Sequence, residues 1–181
     1  MNNKIFFTSD LHFGHNREFL YGPRGFTNIR DHDEAIIDNW NAVVTPSDTV
    51  YVLGDLMLGN SDDLSLINFN CLNGHKHIIL GNHDSQRRQV RYSLITDIKW
   101  ADVIRYQEYE FFLCHYPTLT DNFDRHRKRF NLHGHTHSKD KFQFIEHCCY
   151  NVALDAHNNT PVDIETIIRD LQEMRKENNY E

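Results

Sequence analysis

The chain's four cysteines, Cys71, Cys114, Cys148 and Cys149, show no C-x-x-C spacing, and the last two are adjacent. That pattern suits neither a disulfide framework nor a zinc knuckle. It reads instead as small apolar side chains buried in a reducing compartment. A basic excess is also missing, since 26 acidic against 19 basic side chains leave a formal charge of −7. A protein that holds duplex nucleic acid by neutralising phosphates needs the opposite balance, so no duplex partner is expected. A small phosphate compound is not excluded by this charge. No apolar run approaches the ~20 residues of a membrane span, and no membrane association is expected. Met1-Asn2-Asn3-Lys4 runs directly into the strand-like Ile5-Phe6-Phe7, which predicts no leader peptide and a cytoplasmic location. Low-complexity tracts and internal repeats are lacking too, and disorder is expected at most in the tail from Lys176 to Glu181.

The remaining composition, 39% apolar and 25% charged, is that of an ordinary globular chain. A length of 181 residues suits one domain, residues 1–181, which buries roughly 70% of the surface its unfolded chain would expose. Its oligomeric state is left open. The unusual number is thirteen histidines, because histidine is the commonest metal ligand and titrates near neutral pH.

Periodicity places these histidines. Lys4 to Ser9 reads as a buried strand running into the polar loop Asp10 to His15. From Asp31 to Val44, the residues Ala35, Ile36, Ile37, Trp40, Val43 and Val44 fall on a helical stripe that Thr45-Pro46 closes. Thr49 to Leu53 is a second strand and runs into Gly54-Asp55. A helix is expected from Ser61, with Leu64, Ile67, Cys71 and Leu72 inward, stopping at Asn73-Gly74. His77 to Leu80 is a third strand, leading into Gly81-Asn82-His83-Asp84. Tyr109 to Cys114 leads to His115-Tyr116-Pro117, and Phe130 to His133 leads to Gly134-His135-Thr136-His137. A last strand, Tyr150 to Leu154, precedes a helix carrying Ile164, Ile167, Ile168 and Leu171. Strands alternate with helices first and crowd together later, so the class is α/β, with a mixed sheet or two sheets packed face to face.

Five strand ends therefore carry polar groups: Asp10 with His12, Asp55, Asn82 with His83, His115, and His135 with His137. Groups beyond the carboxyl ends of strands in open α/β sheets converge on one crevice. Setting His83 aside, they offer two carboxylates, one amide oxygen and four imidazoles. One zinc-like ion takes about four ligands, whereas two ions about 3.5 to 4 Å apart would use all seven and share a carboxylate. Oxygen and nitrogen donors without thiolate suit Mn, Fe, Zn, Co or Ni better than Mg or Ca. Two such divalent ions against two aspartates leave the pocket locally at about +2, a site for an anion.

The order D-x-H, G-D, G-N-H-D, H, G-H-x-H, spanning Asp10 to His137, resembles that of the calcineurin-like metallophosphoesterases. His12-Phe13-Gly14-His15, "DNWNAVV" and "NVALDAHNNTPV" are similar to the compact bacterial and phage branch. The resemblance implies an α/β sandwich of two central mixed sheets flanked by helices. It implies Asp10, His12 and His137 at a first metal, Asn82, His115 and His135 at a second, Asp55 between them, and His83 as the catalytic histidine. The implied activity is hydrolysis of a small phosphodiester or nucleotide by in-line attack of a metal-bridging hydroxide, with two transition-metal ions, Mn foremost. A phosphomonoesterase, a single-strand nuclease and a catalytically silent protein-binding module are the alternatives. Gly54-Asp55-Leu56-Met57-Leu58-Gly59 lacks the G-D-x-x-D-R-G of the protein serine/threonine phosphatases, which argues against a phosphoprotein substrate. The chain also has no room for the capping domain of the DNA-repair nuclease branch.

Substrate contacts are expected from the loop Asn16 to Asn28. Gly22-Pro23-Arg24-Gly25 is turn punctuation that presents Arg24 at a loop tip. Arg17 or Arg24 would then meet a phosphate oxygen, Phe19, Tyr21 or Phe26 a base, and His15 the pocket wall. Asp84 either orients His83 or forms an ordinary turn. His32, His75, His126 and His147 read as surface or packing residues, and His157 has no assigned role.

Overall fold

The computed structural model describes residues 3–57, 63–84, 95–118, 128–144 and 148–179. The first half runs β1 (Ile5–Thr8), a single-turn helix α1 (Glu18–Tyr21), α2 (Ile29–Val43), β2 (Thr49–Leu53), α3 (Asp63–Asn70) and β3 (His75–Ile79). Then come β4 (Ile95–Lys99), β5 (Ala101–Tyr106), β6 (Tyr109–Cys114), β7 (Arg129–His133), β8 (Phe142–Gln143) and β9 (Cys149–Asn151). A 3-10 turn at Leu154–Ala156, β10 (Val162–Asp163) and α4 (Ile164–Glu177) complete the chain. The strands form two five-stranded sheets, ordered β10-β1-β2-β3-β4 and β5-β6-β7-β9-β8. Strands β1 to β4 are parallel with β10 antiparallel at the edge, and β6, β7 and β9 are parallel with β5 and β8 antiparallel, so both sheets are mixed.

Strands buried on both faces need apolar residues at successive positions, and the runs in β1, β2 and β3 supply them. Phe7, Leu53 and Ile79 face a core shared with Phe111, Leu113, Phe130, Leu132 and Tyr150 of the second sheet and with Ile167, Ile168 and Leu171 of α4. Their neighbours Phe6, Val50, Val52 and Ile78 face the opposite core, with Ile36 and Trp40 of α2 and Phe69 of α3. The two sheets are therefore sandwiched, with α2 and α3 on the outer face of the first and α4 packed against the shared core. Among the described residues, no helix is long and apolar enough to cross a membrane.

Several boundaries and faces differ from expectation for identifiable reasons. Helix α2 begins at Ile29 rather than Asp31 because the Asn28 side chain caps it, accepting the Asp31 N–H at 3.0 Å. Its buried face is His32, Asp33, Ile36 and Trp40, so two polar residues take places that the apolar stripe gave to Ile37 and Val43. The expected start at Ser61 and the Leu64 side chain lie outside the described residues. In α3 the inward residues are Ser65 and Phe69, while Ile67 is 55% exposed and Cys71, just beyond the helix, is also exposed. The last apolar strand ends at Asn151, because Leu154 turns into the 3-10 segment that carries Asp155. Strands β4 and β5 escape sequence reading because they are sheet edges bearing Asp97, Lys99, Asp102 and Arg105, and edges are defended with charge.

Parallel register brings the strand ends to one level. Thr8, Val52 and Ile78 are direct neighbours, and the pairing continues past them: Asp10, His12 and Phe13 donate their N–H groups to Gly54, Asp55 and Leu56 oxygens at 3.0 Å. In the second sheet Gly134 N–H reaches His115 O at 3.0 Å. The Ser9–Ala153 bridge and Leu154 N–H to Ser9 O (3.3 Å) tie the two sheets at this same end.

Candidate metal centre

The five polar loops meet there. Each aspartate is anchored through one oxygen and presents the other. Asp10 Oδ2 accepts the Ser9 hydroxyl and the His135 N–H (2.9 Å), while Oδ1 is buried without a partner. Asp55 Oδ1 accepts the His83 N–H at 2.9 Å. Its Oδ2 lies 3.6 Å from His12 Nε2, 3.5 Å from His115 Nε2 and 3.9 Å from His83 Nε2. His12 Nε2 and His137 Nε2 each stand 3.8 Å from Asp10 Oδ1. These separations exceed a hydrogen bond, and they are what side chains arranged around a cation show.

Two of the imidazoles are set by groups behind them. His115 Nδ1–H donates to Leu53 O at 2.8 Å, which turns Nε2 toward Asp55 and toward Asn82 Oδ1, 3.0 Å away. Three electron-rich atoms facing one another repel unless a cation lies between them. His137 Nδ1–H donates to Asp155 Oδ2 at 3.2 Å, which directs Nε2 at Asp10. Burial opposes a proton on His137, but the bond to Asp155 and the charge of Asp10 outweigh it and raise its pKa. Burial first, then His137 and Arg24, hold His12 far below its ordinary value, in the neutral form that ligates metals. Both His12 ring nitrogens are buried without a partner. Such orphans cost about 1–3 kcal/mol each, and one of the two, Nε2, which faces Asp10 and Asp55, fits a divalent ion together with Asp10 Oδ1. Among the described residues, ligand-type atoms within 4.8 Å of one another fall into two groups, Asp10, His12, His137 and Asp10, Asp55, His115. His135, whose ring centroid is 5.0 Å from that of His115, and Asn82 border the second group. Asp10, expected at the first metal alone, borders both.

The backbone is distorted where the ligands sit. Asp10, His12, Asp55, His135 and His137 all have positive φ, between 50° and 71°. Non-glycine residues in this region cost of order 1–3 kcal/mol each and cluster at functional sites. Neighbouring glycines allow the crowding. A Cβ on Gly54 (φ +93°) would lie 2.5 Å from His115 Nδ1, and one on Gly134 would overlap Ser9 Oγ and Asp10 Oδ2. Gly134→Ala is therefore expected to push Asp10 off its anchor. Overpacking of this kind costs ~1–3 kcal/mol, and thermal unfolding with elemental analysis should show both a lower Tm and lost metal. An unchanged pair of values would mean that Ser9 and Asp10 yield without consequence.

Around this centre the other expected residues divide. His15 is buried beside it, with ring centroids 5.3 Å from His12 and 6.5 Å from His83, and burial, then His83 and Arg17, lower its pKa. Arg17 is exposed on the same side. Arg24 requires correction. It is not at a loop tip: its side chain is 1% exposed and all three guanidinium nitrogens are engaged, by Asp155, by His32 and by the Asp10 carbonyl. A buried carboxylate compensates the charge there, and a side chain 1% exposed does not meet a substrate phosphate at the surface. Phe26 stacks its edge on His32 beneath the loop, so of the loop aromatics it is Phe19, 73% exposed and edge-on to His15, that borders the site. Asp84 does not orient His83. It accepts the N–H groups of Asp55 (2.7 Å), Gly81 (2.9 Å) and Leu56 (3.0 Å), clasping two ligand loops together. His32 is buried and His75 exposed, whereas His126 and His147 lie outside the described residues. His157 is structural, donating to Asn151 O at 2.8 Å. Sequence reading missed Asp155, although the stretch that contains it, "NVALDAHNNTPV", stood out.

Comparison with known proteins agrees with this geometry. The chain is 35% identical over 173 residues to an uncharacterised protein of Methanocaldococcus jannaschii, covering 92% of this chain and 90% of that one. It is 31% identical to the Gene 66 protein of Mycobacterium phage L5, covering 75% and 78%. The crystal structure of a protein of unknown function from Aquifex aeolicus shares the fold, with a TM-score of 0.69, 23% identity, and coverage of 93% of this chain and 99% of that one. The family model of the calcineurin-like phosphoesterase superfamily domain matches residues 4–149, a stretch that holds every expected ligand from Asp10 to His137. With its candidate metal ligands gathered at the strand ends, the chain belongs to the calcineurin-like phosphoesterase superfamily.

Proposed function

We propose that the protein is a dinuclear-metal-dependent phosphodiesterase acting on a small diester or nucleotide. The observation that carries this reading is Asp55 Oδ2, which lies between His12 and His115 at 3.6 and 3.5 Å and so borders both ligand groups. Carboxylate, amide and imidazole donors suit Mn, Fe, Zn, Ni or Co, and the family resemblance puts Mn first among them. Bound ions would supply Lewis-acid charge at phosphorus and lower the pKa of an attacking water. Asp10, His12 and His137 would hold one ion and Asn82, His115 and His135 the other. The protein's own groups do the rest. His83 stands at the edge of the centre with its side chain 40% exposed, placed to give a proton to the departing oxygen. Asn82 donates an oxygen without adding negative charge that would repel the substrate.

The surroundings favour a diester with a planar group. Arg24 is consumed inward, leaving Arg17 near His15 to meet a single phosphate charge. Phe19 on one side, and Tyr116 packed edge-on against His115 and His135 on the other, offer exposed rings. Base stacking on such rings is worth ~1–3 kcal/mol. The expected result is Mn-dependent turnover of bis-p-nitrophenyl phosphate well above that of p-nitrophenyl phosphate, with two metal ions per chain by elemental analysis and activity lost on chelation. A preference for the monoester would reverse the substrate class. Metal-free protein without turnover would leave a binding module.

A further inference from the structure

Behind the candidate centre runs a buried chain of polar contacts that the chemistry above does not use. It starts at Asp155, which lies outside the stretch matched by the family model. Asp155 Oδ2 accepts from His137 Nδ1 (3.2 Å) and Arg24 Nη2 (2.7 Å), and Oδ1 accepts from Arg24 Nε (3.0 Å). Arg24 Nη2 also donates to the Asp10 carbonyl at 2.8 Å, and Nη1 meets His32 Nε2 at 3.0 Å. His32 Nδ1 lies 2.8 Å from Asp33 Oδ1, and Asp33 Oδ2 accepts the N–H of Gly14, two residues past His12, at 3.0 Å. The contacts thus reach all three members of the Asp10, His12, His137 group: one side chain, one backbone carbonyl and one loop.

We infer that the Arg24–Asp155 pair is the positioning device of this metal site, Asp155 acting through the His137 ring and Arg24 through the Asp10 backbone. A carboxylate behind a ligating imidazole fixes its tautomer and orientation and strengthens it as a donor, and loss of such a partner costs 10- to 100-fold in metal affinity. Asp155 alone would be a buried, uncompensated anion; the Arg24 fork matches both of its oxygens and keeps it ionised. Burial opposes ionisation, but the bonds to His137 and Arg24 outweigh it and hold Asp155 below the ordinary carboxylate value. The geometry also explains why a loop punctuated by Gly22-Pro23 and Gly25 turns its arginine inward: Arg24 must span from Asp10 to Asp155.

The inference rests on the two-metal reading, and its test separates the two. Titration calorimetry of the metal-stripped protein with Mn²⁺ alone should show two binding events in the wild type. In Asp155→Asn, one of them is expected to weaken 10- to 100-fold while the other is unchanged. The double variant R24Q/D155N, which leaves no lone buried charge, should show the same selective loss. Wild-type protein that binds no Mn²⁺ would remove the metal reading itself. Normal wild-type binding with unchanged affinities in either folded variant, whatever its Tm, would leave the pair a structural tie and overturn the inference. Nitrogen-15 spectra of Zn²⁺-loaded wild type give a check that needs no variant: the His137 proton is expected on Nδ1, and a ring without it there would equally overturn the proposal.

Discussion

Asp55→Asn is expected to reduce turnover of bis-p-nitrophenyl phosphate by roughly 10²–10³-fold, the equivalent of ~3–4 kcal/mol of transition-state stabilisation. Metal content should fall from two ions toward one, with the circular dichroism spectrum intact. The reason lies in the two oxygens of Asp55. Oδ1 accepts the His83 N–H, and Oδ2 faces His12 and His115. An asparagine satisfies His83 with its amide oxygen only by turning its NH₂ into the cavity, placing donors where lone pairs converge on a cation. The opposite rotamer sets two donors against each other at His83. Either way the neutral amide weakens the hold on both ions, whereas the surrounding N–H contacts through Asp84 keep the loop in place. Wild-type turnover with two ions still bound would remove Asp55 as the ligand shared by both ions.

How much of this was legible in the sequence follows from where the information is local. The candidate ligands at strand ends could be read because β1, β2 and β3 are buried on both faces, so their apolar runs end sharply and the chemistry-bearing residues that follow within a few positions are conspicuous: Asp10, Asp55, Asn82. Residue type then carried the chemistry. Convergence came from register, which neighbouring parallel strands of similar length nearly impose.

What was not legible depends on partners far away in the chain. Gly22-Pro23-Arg24-Gly25 specifies a turn but not which way Arg24 points, and that is decided by Asp155, 131 residues later. His32 and Asp33 look like polar members of an exposed helix face, yet Arg24, Gly14 and Asn68 make them buried. Asp84 reads as a turn residue because its three partners are backbone N–H groups that any sequence supplies. The left-handed backbone at five ligand positions has no residue-type marker either, since aspartate and histidine are tolerated there without being diagnostic.

His83 is expected to behave differently from every ligand. Its backbone N–H is bound to Asp55, but its ring is part-exposed, with Nε2 3.9 Å from Asp55 Oδ2 and its centroid 5.6 Å from that of His12. His83→Ala leaves the N–H contact in place, so two ions should remain bound and the fold should be unaffected. Turnover should fall, because proton transfer in the transition state is typically worth 10²–10⁴-fold. The size of the loss should depend on the leaving group. A sugar or alkyl alkoxide departs poorly without a proton, so the full factor is expected with a dinucleotide. With bis-p-nitrophenyl phosphate the phenolate leaves unaided, and the factor should shrink toward whatever charge stabilisation His83 gives the phosphoryl oxygens. Equal losses on both substrates would assign His83 to charge stabilisation alone. Loss of metal in the variant would make it a ligand and require the division of the seven donors to be redrawn.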